Sequence, residues 1–152
     1  MKRTERALLV EDSADDAELM LAALSDYCDA ERVVVAKDGE DALDYLYRRG
    51  GHAGRGDGNP VLILLDIKMP KMDGLEVLRV IKSDPALKTI PVVMLTSSRE
   101  ERDLSSSYRL GTNAYVVKPL LFAELHAVLS KTAGFWLGVN EPCPAAGDLS
   151  RS

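Results

Sequence analysis

The feature that most limits the fold is a repeating alternation of short apolar runs with stretches of helical apolar spacing. Ala7-Leu8-Leu9-Val10 is the first run, and Ala17, Met20, Leu21 and Leu24 follow at i, i+3, i+4 and i+7. Val33-Val34-Val35 precedes Ala42, Leu43, Leu46 and Tyr47, and Val61-Leu62-Ile63-Leu64-Leu65 precedes Leu75, Leu78 and Ile81. Val92-Val93-Met94-Leu95 precedes a weak helix over 99–110, and Ala114-Tyr115-Val116-Val117 precedes Leu121, Leu125, Val128 and Leu129. Strands apolar on both faces, alternating with helices, predict an α/β chain: a five-stranded parallel sheet, doubly wound and covered on both sides.

Helix starts are marked by an N-cap oxygen with an acid three residues on: Ser13 with Asp16, Asp73 with Glu76, and Ser98 with Glu101. The 99–110 helix carries Ser105-Ser106-Ser107 and little apolar surface beyond Leu104 and Tyr108, so it is expected to be the loosest element. Residues 50–60 hold five glycines and read as a flexible connection. They miss the G-x-G-x-x-G fingerprint, because Asn59 stands where the third glycine belongs and a helix precedes them. The Arg55-Gly56-Asp57 run reads as loop composition, not an adhesion signal.

At 152 residues the chain fits one domain, and the Pro/Ala/Gly/Ser-rich end from Glu141 to Ser152 is too short for a second. The net charge is −5 and the basic residues are scattered, which excludes the dense cationic face that nucleic acid requires. The longest purely apolar runs are about five residues, far short of a membrane span. The Met-Lys-Arg-Thr-Glu-Arg start develops no signal-peptide core, so a cytoplasmic protein is expected. Cys28 and Cys143 offer neither metal spacing nor a disulfide framework.

Chemistry gathers directly after the strands. Glu11-Asp12 follows the first, Asp66 ends the third, Thr96-Ser97 follows the fourth and Lys118-Pro119 the fifth. In a parallel sheet all of these fall on the carboxyl edge, where open α/β folds place their sites. Carboxylates converging there repel unless a cation is present, and a hard divalent ion such as Mg²⁺ suits such a set. Taken singly, each has a structural explanation: a solvated strand exit for Glu11-Asp12, a turn residue for Asp66, a surface lysine, a strand-end hydroxyl. Taken together, four coincidences at one edge are improbable. His52, in the glycine-rich loop, and His126, off the apolar stripe of the last helix, read as surface residues.

Val10-Glu11-Asp12, Leu65-Asp66-x-x-Met69-Pro70-x-x-Asp73-Gly74, Leu95-Thr96-Ser97 and Lys118-Pro119 together resemble the signature of two-component receiver domains, over about residues 6–133. The resemblance implies a flavodoxin-like strand order 2-1-3-4-5, with a receiver at 1–137 and a short extension, without output domain, at 138–152. The connection before Pro60, the Tyr-x-x-Gly-x-Asn run at 108–113 and the Gly134-Phe135-Trp136-Leu137 ending are similar to single-domain, phytochrome-associated response regulators.

Residue by residue, the resemblance implies that Asp66 is the phosphoacceptor attacking a phosphohistidine of a sensor histidine kinase. It implies that Asp12, Asp66 and the Lys68 backbone carbonyl ligate Mg²⁺, with Glu11 acting through a coordinated water. Lys118, Thr96 and Ser97 would contact the phosphoryl group, and Thr96 and Tyr115 would form the switch. Tyr115 has the plainer reading of a half-buried strand aromatic. Lys68 and Ser98 sit where the family tunes dephosphorylation, and lysine at 68 departs from the commoner asparagine. The resemblance also implies a cis Lys118–Pro119 bond. The protein would then be a signalling phosphoprotein, catalysing only its own phosphorylation and dephosphorylation. The alternatives are a Mg²⁺-dependent aspartyl-phosphate phosphatase, which would want an aspartate at position 68, and a constitutive pseudo-receiver. Phe135, Trp136, Leu137 and Val139 run past the last helix, predicting a homodimer unless they fold back on their own chain.

Overall fold

The structure, a computed structural model, describes residues 7–56 and 58–144. The opening hexapeptide, Asp57 of the Arg-Gly-Asp run and the tail from residue 145 lie outside the described residues. Five strands, β1 (Ala7–Val10), β2 (Val33–Ala36), β3 (Leu62–Leu65), β4 (Val92–Thr96) and β5 (Ala114–Val117), form one parallel sheet in the order β2-β1-β3-β4-β5. The helices are α1 (Ala14–Leu24), α2 (Gly39–Tyr47), α3 (Gly74–Ser83), α4 (Glu101–Leu110) and α5 (Phe122–Ala133), the last continued by π-helical turns at Gly134–Val139. This parallel order, with helices between successive strands, is the doubly wound, flavodoxin-like arrangement.

Strand alternation splits the core in two. Leu8, Val10, Ile63 and Leu65 face Leu43, Leu46, Val77, Leu78 and Ile81 of α2 and α3. Leu9, Leu62 and Leu64 face Met20 and Leu24 of α1 with Leu125 and Leu129 of α5. The central strands β1, β3 and β4 are buried throughout, which explains their unbroken apolar sequence. Each such side chain contributes about 1.5–3 kcal/mol by leaving water.

Two of the expected caps form: Ser13 Oγ accepts from the Asp16 amide at 3.2 Å and Asp73 Oδ1 from the Glu76 amide at 3.0 Å. The third does not. Glu100, not Ser98, precedes α4, and the Ser98 hydroxyl donates instead to Asp103 Oδ2 at 2.6 Å. A further cap with the same spacing, passed over in the sequence, is Asp38, whose Oδ1 accepts from the Asp41 amide at 2.8 Å.

Helix α4 inverts the expected pattern. Leu104 and Tyr108 are exposed at 39% and 53%, while Asp103 and Ser107 are buried. Its end is fixed more firmly, by Gly111 at φ 104° as the left-handed cap and by Asn113 beyond it. Asn113 Oδ1 accepts from the Val92 amide at 2.9 Å and from Lys82 Nζ at 3.0 Å, tying α3, β4 and the approach to β5 together.

Residues 50–56 are also more fastened than their glycine content implies. A 3-10 turn at Gly50–His52 lets His52 Nε2 meet Asp41 Oδ1 at 2.9 Å and pack edge-on against Tyr45. Arg55 stacks 4.0 Å from the centre of the same Tyr45 ring and donates to the Tyr45 carbonyl at 2.9 Å. His52 is therefore half-buried and not a surface residue, whereas His126 is exposed as expected.

Candidate functional site at the carboxyl edge of the sheet

Each key backbone position is held by one further rung beyond its strand. The Glu11 amide donates to Ala36 O at 3.0 Å, Asp66 to Val10 O at 3.2 Å, and Lys118 to Thr96 O at 2.8 Å. The parallel ladder thus delivers Glu11, Asp66 and Lys118 to a common edge. Gly74, the first residue of α3, makes room for this loop: a Cβ there would collide with the Asp66 carbonyl oxygen. Asp73-Gly74 is therefore more than turn chemistry.

Glu11, Asp12, Ser13, Asp16, Asp66, Lys68, Ser97 and Lys118 line a cleft of about 430 Å³, bordered by Pro119, Leu120 and Phe122. Carboxylate oxygens of Glu11, Asp12 and Asp66 lie within 4.8 Å of one another. Glu11 and Asp66 are buried and Asp12 is exposed, so the set is anchored inside and open to solvent on one side. Three hard oxygen donors at this spacing fit a divalent cation of the Mg²⁺ or Mn²⁺ type.

Lys118 Nζ reaches Glu11 Oε2 at 2.6 Å, Asp16 Oδ2 at 3.2 Å and Asp66 Oδ2 at 3.7 Å. Burial pushes the Glu11 carboxyl above the usual carboxylate range. The Lys118 hydrogen bond and charge oppose that shift, and the Asp66 charge adds to it. Burial also works against the Lys118 ammonium, but the Glu11 hydrogen bond and the surrounding Asp66, Glu11 and Asp16 charges outweigh it and hold its pKa above the ordinary lysine value. Asp16 is the member that sequence reasoning missed. Its spacing from Ser13 marked it as a capping residue, and its position one turn into α1 also brings its carboxylate to Lys118.

The hydroxyl side divides between the cleft and the interior. Ser97 lines the cleft, whereas Thr96 is fully buried and its Oγ1 accepts from the Ser98 amide at 3.3 Å. Tyr115 is half-buried, as its plainer reading required, and its hydroxyl donates to the Ser98 carbonyl at 2.9 Å. Burial raises the Tyr115 pKa, and the Ser98 bond works against that. Lys68 turns its side chain toward α4, with Nζ 3.4 Å from Asp103 Oδ2.

The Lys118–Pro119 bond is trans, against the cis geometry implied by the resemblance. The rung from the Lys118 amide to Thr96 O already fixes the strand end, and the long side chain spans the remaining distance to Glu11 and Asp66. A cis turn is not required to aim the ammonium.

This fold and edge define a flavodoxin-like α/β domain with an acidic cleft at the carboxyl ends of its strands, and comparison with known proteins gives its family. Residues 7–130 match the response regulator receiver domain, and the chain belongs to that family. It is 41% identical over 139 residues to the probable methanogenesis regulatory protein FilR2 of Methanothrix harundinacea, covering 91% of this chain and 88% of that one. It is 39% identical over 130 residues to the response regulator Rcp1 of Synechocystis, covering 86% and 87%. Among solved structures, the phosphorylated cyanobacterial phytochrome response regulator RcpA superposes with a TM-score of 0.87 at 39% identity, covering 93% of this chain and all of that one. The Mn²⁺-bound form of Rcp1 superposes with a TM-score of 0.84 at 36% identity, covering 92% and 99%. No helix among the described residues is long and apolar enough to cross a membrane.

Proposed function

We propose that this chain is the phosphoacceptor of a two-component relay, in which Asp66 takes a phosphoryl group from a phosphohistidine of a sensor histidine kinase. An Asp66 oxygen attacks phosphorus, the P–N bond breaks, and its electron pair returns to the imidazole, leaving an acyl phosphate on Asp66. The observation that carries the reading is the Lys118 ammonium, 2.6 Å from Glu11 and 3.7 Å from Asp66 beside a three-carboxylate cluster. Phosphoryl transfer asks chiefly for positioning and for neutralised oxygens, and this edge is built for both. Asp12, Asp66, the Lys68 carbonyl and, through water, Glu11 are the groups that would hold Mg²⁺. A bound cation supplies positive charge to the transferring oxygens. Lys118 supplies a second positive charge, and Ser97, which lines the cleft, and Thr96 at the end of β4 are the hydroxyls that would donate to the phosphoryl oxygens.

The likeness to RcpA and Rcp1 favours a phytochrome-type histidine kinase as the donor and cytoplasmic signalling as the setting. The receiver unit occupies 1–137, with 138–152 as a C-terminal extension. Output is through protein contacts, including a homodimer that uses β5, its flanking helices and Phe135. Lysine stands at position 68, where the phosphatase alternative would want an acid. The test is labelling by a phosphorylated histidine kinase or by acetyl phosphate. The wild type should gain one acid-labile, hydroxylamine-sensitive phosphoryl group, and Asp66→Asn should gain none while keeping its fold. Undiminished labelling of that variant would place the acceptor elsewhere.

A further inference from the structure

Helix α4 is attached to the domain in an unusual way. Two of its three large apolar residues, Leu104 and Tyr108, face outward, and the residues it buries are Asp103 and Ser107. A buried carboxylate is tolerated only with compensation. Asp103 receives it from the Ser98 hydroxyl at 2.6 Å and from the Lys68 ammonium at 3.4 Å. The same Ser98 offers its carbonyl to Tyr115. Lys68 is two residues beyond Asp66, lines the cleft, and keeps 60% of its side chain exposed, so it is free to swing. The other ammonium at the cleft, Lys118, is already shared among Glu11, Asp16 and Asp66.

Resting on the phosphoacceptor reading of Asp66, we propose that Lys68 is a cation with two stations: Asp103 of α4 when Asp66 is free, and the phosphoryl oxygens when Asp66 is phosphorylated. Phosphorylation raises the negative charge beside Lys68, and a contact of 3.4 Å whose lysine end is 60% exposed is weak enough to be exchanged for it. When Lys68 leaves, Asp103 keeps the Ser98 bond but loses its cation, and α4 has little apolar anchorage to hold it. The first turn of α4 loosens and the surface carrying Leu104 and Tyr108 becomes mobile. Charge on Asp66 is thereby read out at α4 by a direct side-chain exchange.

The test is amide hydrogen exchange of peptides spanning 98–110, with and without acetyl phosphate and Mg²⁺, in wild type, Lys68→Met, Lys68→Arg and Asp103→Asn. Intact mass reports the labelled fraction in the same samples. In the wild type, exchange should rise about threefold on labelling. Lys68→Met should show the raised rate before labelling and little further rise, Asp103→Asn, which has no charge to compensate, should show no rise on labelling, and Lys68→Arg should behave as wild type. Labelled wild type with unchanged exchange, or Lys68→Met with the wild-type baseline, overturns the two-station proposal alone. A wild type that takes no label on Asp66 overturns the phosphoacceptor reading and this proposal with it.

Discussion

Lys118 and Glu11 meet at 2.6 Å with side chains only 9% and 1% exposed, so each is the other's principal compensation inside the cleft. Removing the cation should therefore cost stability as well as chemistry. In Lys118→Met the buried Glu11 carboxyl loses the partner that restrains its upward shift. A carboxyl whose pKa is higher folded than unfolded contributes stability below its unfolded value, ordinarily 4.5, and loses it as pH rises through the folded value. The melting-temperature deficit of Lys118→Met should thus be small near pH 4.5 and widen toward neutrality. At neutral pH it should correspond to about 3 kcal/mol. Adding Glu11→Gln should remove the widening. Phosphorylation of Asp66 by acetyl phosphate should also slow in Lys118→Met, by about a hundredfold.

The crowding of Glu11, Asp12 and Asp66 within 4.8 Å predicts that the cation-free protein is destabilised by its own site. Asp12→Asn should raise the melting temperature in chelator, by a stability gain of about 1 kcal/mol. Mg²⁺ at about a hundred times its dissociation constant should add about 2.7 kcal/mol to the wild type and clearly less to the variant. Equal gains in thermal unfolding would remove Asp12 from the ligand set.

The fold and most of this site were legible because both depend on residues adjacent in sequence. An apolar run followed directly by Glu11-Asp12, Asp66, Thr96-Ser97 or Lys118 needs only the parallel sheet to bring those residues together. What stayed hidden depends on contacts between distant segments. Asp103 carries no mark of burial in the sequence, because its compensation comes from Ser98 and from Lys68 on another loop. The weak apolar stripe of α4 was visible, but not that Leu104 and Tyr108 would face outward. The glycine-rich segment hid its order for a similar reason, since Arg55 and His52 are fixed by Tyr45 and Asp41 on α2.

Gly74 gives a test of how tightly the Asp66 loop is built. Its amide donates to Ile67 O at 2.8 Å, and a methyl group in place of its hydrogen would strike the Asp66 carbonyl oxygen. Because the obstacle is backbone, the loop itself must shift. Gly74→Ala should cost about 1–3 kcal/mol in chemical denaturation. It should also slow phosphorylation of Asp66 more than Asp73→Ala, which removes only the cap of α3. Wild-type labelling by Gly74→Ala would show that the loop can move without consequence for the acceptor.

The C-terminal turns separate into an anchored part and a free part, and that division sets the test for self-association. Leu137 is buried and Trp136 packs half-buried on the α1–α5 core, so the chain does fold back on itself there. Phe135 stands edge-on to Trp136 at 5.0 Å yet remains 48% exposed, and Val139 is 72% exposed. On the other side of β5, Leu104 and Tyr108 of α4 are exposed as well. Truncation after Gly134 would remove Leu137 and damage the core, so it cannot isolate an interface. Phe135→Ser and Tyr108→Ser leave every buried residue in place. If β5, its flanking helices and Phe135 form the proposed two-fold interface, the wild type should sediment as a dimer at micromolar concentration. Each substitution should then weaken association by about tenfold or more, the loss typical of an aromatic anchor in an interface. Stability measured on the dissociated chain should change by less than about 0.5 kcal/mol for Tyr108→Ser and by no more than about 1.5 kcal/mol for Phe135→Ser, which also loses its edge-on contact with Trp136. A wild type that sediments as a monomer both with and without phosphorylation would leave Phe135 as nothing more than the edge of the cap that Trp136 and Leu137 place on the core.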